Sequence, residues 1–222
     1  MGKLWYISPS TQFANLGVGN YGSEMEQMRL LADAITPHLD RAGVSFHVAD
    51  DELSLGMRVD ESNAMGAGFH LALHSNAGGK GQARGPVAYY YSEKGREFGE
   101  KLVNALLELG QENNRWSNLK EDKKLYETRA TQAPACLLEV DFHDSLSGVE
   151  FITTRREEIA QAIAAVIIRA DGKEVVPTTP GEYVDTAVAL GLLSADAPWD
   201  APLTREEAAI LAVRLLRKVQ RG

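Results

Sequence analysis

Short apolar runs alternate with helix-period segments through the first 170 or so residues, and that alternation restricts the chain to an α/β architecture. Leu4–Ser8 reads as a first strand, closed by Pro9. A loop rich in Gly, Asn and Ser follows. Ser23, with Glu26 three residues on, then forms a capping box that starts a helix. Met28, Leu31, Ala32, Ile35 and Leu39 give that helix one apolar face, and Gly43 ends it. Val44–Val48 reads as a second strand, and residues 57–67 as a weaker helix. Phe69–His74 is a buried strand that runs into a loop of small residues, Ser75-Asn76-Ala77-Gly78-Gly79. Val87–Tyr91 is a further strand, followed by a helix over Lys94–Leu109 that stops at Gly110. Residues 111–134 are polar and irregular, as expected of an active-site rim. Ala135–Phe142 is the core strand, with Glu139 embedded in it. A final helix over Thr154–Ala170 carries Ile159, Ile163, Val166 and Ile167 on one face. The expected fold is an open twisted sheet, mixed or mostly parallel, with helices on both faces and a small C-terminal helical appendage.

The domain therefore spans 1–172. Residues 173–181 (KEVVPTTPG) read as a linker, and 182–222 as two short helices joined by a Pro-containing turn. About 40 residues are too few for independent stability. The segment is expected to pack on the domain or to pair with a second copy, giving a homodimer through these C-terminal helices.

Composition narrows the function. The 222 residues are 44% hydrophobic and 24% charged, with a formal net charge of −8, so no basic stripe exists for a nucleic-acid backbone. No run approaches the roughly 18 apolar residues of a membrane span. MGKLWYIS enters a strand without the apolar core of a signal peptide. Cys136 is the single cysteine, which excludes disulfide frameworks and cysteine-rich zinc sites.

Polar, metal-competent side chains gather at the ends of the predicted strands, the edge where open α/β sheets bind ligands. They are Ser8–Gln12 with Glu24, His74 with Ser75 and Asn76, and the run Glu139–His143. A carboxylate inside an apolar strand is costly unless it is paired, hydrogen-bonded or metal-bound, so Glu139 is the most informative residue; a structural acid is the competing reading. Glu24 also suits a helix N-terminus. His70 shares a strand face with His74 but lies roughly 13 Å along the strand, so the two cannot share one ion and His70 reads as structural or peripheral. His38 and His47 read as surface residues.

Together, SPSTQ, NYGSE, ALHSNAGG and LLEVDFHDS resemble the zinc-dependent N-acetylmuramoyl-L-alanine amidases, and within them the phage endolysin and firmicute branch that opens with Ser-Pro-Ser-x-Gln. The resemblance covers about residues 3–170. It implies a Zn2+ enzyme in which Glu24 and His74 are metal ligands and Glu139 is the catalytic acid/base. The family's remaining ligand is a histidine after the first strand. Here that stretch holds none, and Gln12 is the nearest substitute, as a weaker neutral ligand. Asn76, Arg129 and His143 are the implied substrate-binding residues, with His143 also a candidate replacement ligand. The implied substrate is peptidoglycan, cut between N-acetylmuramic acid and L-alanine at the bacterial cell wall, for lysis or remodelling. Without a signal peptide, the expected route there is that of a phage lysin released by a holin, or the chain is trimmed. The competing expectation is an inactive wall-binding protein on the same fold. GEYVDTAVALGLLSADAPWDAPLTREEAAILAVRLL resembles part of an S-layer-homology repeat, a wall-binding element.

Overall fold

The computed structural model describes residues 3–78, 80–114 and 117–175. The described residues belong to one compact unit, Met1–Val175. The expected segment 182–222, with its S-layer-like stretch, and most of the linker lie outside the described residues.

Among the described residues, six strands form one sheet: β1 (Trp5–Pro9), β2 (Phe46–Val48), β3 (Phe69–Asn76), β4 (Val87–Tyr90), β5 (Leu119–Glu121) and β6 (Ala135–Phe142). Their order is β2-β1-β3-β6-β4-β5. β2, β1, β3 and β6 run parallel, whereas β4 pairs antiparallel with β6 and carries β5 parallel beside it. The sheet is therefore mixed, as expected. Among the described residues, six helices surround it: α1 (Glu24–Arg41), α2 (Leu55–Ala64), α3 (Glu93–Glu108), α4 (Tyr126–Ala130), α5 (Leu146–Thr154) and α6 (Arg156–Ala170).

The strand period of two divides the sheet chemically. Trp5 and Ile7 of β1, Leu71 and Leu73 of β3, and Cys136, Leu138 and Val140 of β6 join the apolar core. Met28, Leu31 and Ile35 of α1, Phe98 and Leu102 of α3, and Ile159 and Ile163 of α6 close over that face. The intervening positions, Tyr6, His70, His74 and Glu139, share the opposite face. There α2 and α4 supply polar partners: Tyr6 donates to Glu61 at 2.6 Å, and His70 bonds Ser62 and Glu127. One face thus holds the apolar core and the other gathers buried polar side chains.

Several elements differ from expectation. The stretch 111–134 contains β5 and α4, both too short to show a period in sequence. The expected last helix is present as α6, and α5, which ends at Thr154 just before it, has no counterpart among the expected elements. The hydroxyls of Thr153 and Thr154 bond back to Val149 O and Glu150 O, which competes with continuation of the helix. His38 is buried, not on the surface, and its Nε2 meets Glu157 at 2.9 Å to link α1 with α6. His47 is half-buried beside Glu61 at 3.2 Å. Within α1, Pro37 offers no donor to the carbonyl of Asp33, and the Thr36 hydroxyl bonds it instead at 3.1 Å.

Candidate active site

Three segments converge at the C-terminal edge of the sheet. The loop after β1 brings Gln12 and Asn15, the first residue of α1 brings Glu24, and the end of β3 brings His74. Ser23 caps α1 by accepting from Glu26 N at 3.2 Å, which fixes where the helix begins and so where Glu24 points. Glu24 is 1% exposed. Its Oε1 lies 2.7 Å from His74 Nδ1, and its Oε2 accepts from Asn15 Nδ2 at 2.6 Å. The Gln12 amide completes the cluster, 3.5 Å from Glu24 Oε1 and 3.4 Å from His74 Nδ1.

β6 places Glu139 directly opposite His74 in the ladder. Its Oε2 is buried without a hydrogen-bond partner. Burial pushes its carboxyl up to about 7, with the His74 charge opposing and Glu24 adding to the rise. Burial by itself would lower His74, but the nearby Glu127 carboxylate and a hydrogen bond to Glu24 raise it to about 10. Burial likewise works against ionised Glu24, which its bonds to His74, Ser10 and Asn15 nonetheless hold below the usual carboxylate range. Neighbouring carboxyls are thus driven in opposite directions, the pattern that separates a proton carrier from a fixed charge.

Two further layers support this cluster. Behind His74, Glu127 Oε2 lies 3.8 Å from Nε2, and Glu127 Oε1 bonds His70 Nε2 at 2.9 Å. His70 Nδ1 in turn meets Ser62 Oγ at 3.0 Å. His70 is therefore a connecting member of the network rather than a peripheral residue. Glu127 escaped sequence reasoning: it lies in a five-residue helix, 57 positions from His70, and carries no spacing signal. Beside Glu24, Asn15 Oδ1 lies 3.3 Å from His143 Nε2. His143 Nδ1 bonds Ser75 Oγ at 2.8 Å, and Tyr21 OH donates to the same oxygen at 2.6 Å. His143 is 1% exposed with both ring nitrogens engaged, so the structure places it beneath the site. Asn76 stands half-buried at the end of β3, its Oδ1 accepting from Ala77 N at 2.9 Å. Arg129 is exposed on α4, with its guanidinium 5.8 Å from the Tyr126 ring centroid.

Among the described residues, no three His, Cys, Asp or Glu side chains are grouped to hold a metal ion. The cluster has two such donors, Glu24 and His74, and an amide as the third. Zinc accepts oxygen and nitrogen donors of these kinds, and a half-turn of the Gln12 amide would present its oxygen to the same point. The donor set fits a zinc ion, with one neutral ligand that weakens it.

No curated protein is similar enough in sequence to match. The catalytic domain of CwlV, an N-acetylmuramoyl-L-alanine amidase from Bacillus (Paenibacillus) polymyxa var. colistinus, superposes with a TM-score of 0.69 at 18% identity, covering 78% of this chain and 99% of that one. The amidase AmiC2 of Nostoc punctiforme gives 0.68 at 20% identity over 76% and 96%. The catalytic domain of the CD27L endolysin targeting Clostridia difficile gives 0.64 at 22% identity over 76% and 98%. These likenesses establish a shared fold. The Amidase_3 family model, described as N-acetylmuramoyl-L-alanine amidase, matches residues 15–169, so this chain is a member of that family.

Proposed function

We propose that the chain is a zinc-dependent hydrolase that cleaves the amide between N-acetylmuramic acid and L-alanine in peptidoglycan. The observation that carries this reading is Glu139: a buried carboxyl with an unpartnered oxygen, set opposite His74 where Glu24 and Gln12 converge. Gln12, Glu24 and His74 would hold the zinc. When bound, the metal acidifies a water and polarises the scissile carbonyl. Glu139 takes the proton of the attacking water onto its carboxylate and returns it to the departing L-alanine nitrogen. Its burial suits both halves of that cycle, because a carboxyl near neutrality can accept and release a proton with little driving force lost. Asn76 and Arg129, at the rim, are the residues proposed to meet substrate, whereas His143 acts by holding Asn15 and Ser75 in place.

The Ser-Pro-Ser-x-Gln opening supports placement in the endolysin and firmicute branch, acting at the bacterial wall. Residues 182–222 would add wall affinity or self-association. Among the described residues no helix is long and apolar enough to cross a membrane. A second reading is favoured by one observation, the amide of Gln12 where the family places a histidine: an inactive wall-binding protein on this fold. Glu139→Gln separates the two. The hydrolase reading expects hydrolysis to fall by at least about a hundredfold, the low end of general acid–base contributions, with fold and zinc content intact. A variant as active as the parent removes Glu139 from the mechanism.

A further inference from the structure

His74 is held from both sides, and the second side belongs to groups that the hydrolytic chemistry does not use. Its Nδ1 faces Glu24 at 2.7 Å and Gln12 at 3.4 Å, while its Nε2 faces Glu127 Oε2 at 3.8 Å. That last distance is one of an ion pair rather than of a formed hydrogen bond. Glu127 cannot swing away freely, because its other oxygen is bonded to His70 Nε2 at 2.9 Å and His70 is fixed by Ser62 Oγ at 3.0 Å. Ser62, His70, Glu127 and His74 are all buried. The row runs from α2 across β3 to α4 and back to β3, so three elements must be in place for it to exist. Four polar side chains aligned in a protein interior are costly unless each is satisfied, and here hydrogen bonds join Ser62, His70 and Glu127 while an ion pair links Glu127 to His74.

We propose that Glu127 is a positioning residue for zinc: it holds the Nε2 proton of His74, which leaves the Nδ1 lone pair directed at Gln12 and Glu24, with His70 and Ser62 anchoring Glu127 from behind. A carboxylate behind a ligating imidazole fixes the ring's tautomer and orientation and strengthens it as a donor. This site has particular need of that, since Gln12 contributes no charge. Glu127 would offset a weak first ligand by strengthening its neighbour. The inference rests on the zinc reading above, and its test separates the two.

Zinc affinity is measured on the full chain, stripped by chelator and titrated in competition with a chromophoric chelator, for the parent, Glu127→Gln and Glu127→Asp. Glu127→Gln is expected to bind zinc roughly 10- to 100-fold more weakly, the range for loss of such a partner, with Glu127→Asp between it and the parent. A residue that only stabilised the fold would lower the melting temperature and leave the affinity of the folded fraction unchanged. Equal affinity in folded Glu127→Gln and parent overturns the role of Glu127 while leaving the zinc reading standing. A parent that binds no zinc overturns both. Nitrogen-15 shifts of the His74 ring in the zinc-loaded parent give an answer without any variant. Metal on Nδ1 with a proton on Nε2 is expected, and metal on Nε2 contradicts the proposal.

Discussion

On the proposed reading, Glu139 and Gln12 are the residues on which the chemistry turns, and each makes a measurable demand. A carboxyl whose pKa is raised to about 7 by burial favours the folded state while it is protonated. That contribution is present in full below the ordinary value of 4.5 and is lost as the pH rises through about 7. The amide of Glu139→Gln never ionises. In chelator, so that no cation perturbs the carboxyl, the variant is expected to melt several degrees above the parent at about pH 8 and level with it near pH 4.5. Thermal denaturation at the two pH values checks this, and an equal shift at both contradicts the assigned burial effect. Gln12→His replaces a neutral amide with imidazole at a point 3.4 Å from His74 and 3.5 Å from Glu24. Zinc binding is expected to tighten by roughly tenfold or more. Unchanged affinity in a competition titration would remove Gln12 from the ligand set.

At the scale of elements, β6 is the strand that carries Glu139, and the two helices that abut its ends do so through glycines. Gly95 of α3 lies where an added Cβ would come within 2.3 Å of Ala135 O, at the start of β6. Gly148 of α5 lies where an added Cβ would come within 2.1 Å of Phe142 O, at its end. Both obstacles are backbone and cannot rotate aside. Gly148→Ala is therefore expected to destabilise the fold by about 1–3 kcal/mol, read as a lower midpoint in urea unfolding at unchanged slope. An unaltered midpoint would mean that α5 is free to move away from β6. β6 was also the element most legible in sequence, because an apolar run with one acid admits few other readings. The short β5 and α4 were not legible, since three and five residues define no period. α5 was not legible either, because its end is marked by hydroxyl back-bonding at Thr153 and Thr154 and not by a glycine or proline.

For the molecule as a whole, the division of the sheet into an apolar and a polar face explains how much of the site could be read beforehand. Gln12, Glu24, His74 and Glu139 were legible because strand ends and a helix start are marked by Pro9, Ser23 and the small-residue loop after His74. The chain brings those marks to one edge of the sheet. The support behind them was not legible. His70 and Glu127 meet across 57 positions, and only the packing of α4 against the polar face brings them together. The same holds for His143, whose place beneath the site follows from its bonds to Ser75 and Asn15. With a net charge of −8, the protein as a whole does not attract an anionic wall polymer, so recognition has to be local to this edge. The most direct test of the account is release of new amino termini from purified peptidoglycan by the full chain, before chelation, after chelation, and after return of zinc. The account predicts N-terminal L-alanine that disappears with the chelator and returns with the metal. Folded protein that releases none under any of the three conditions would contradict it.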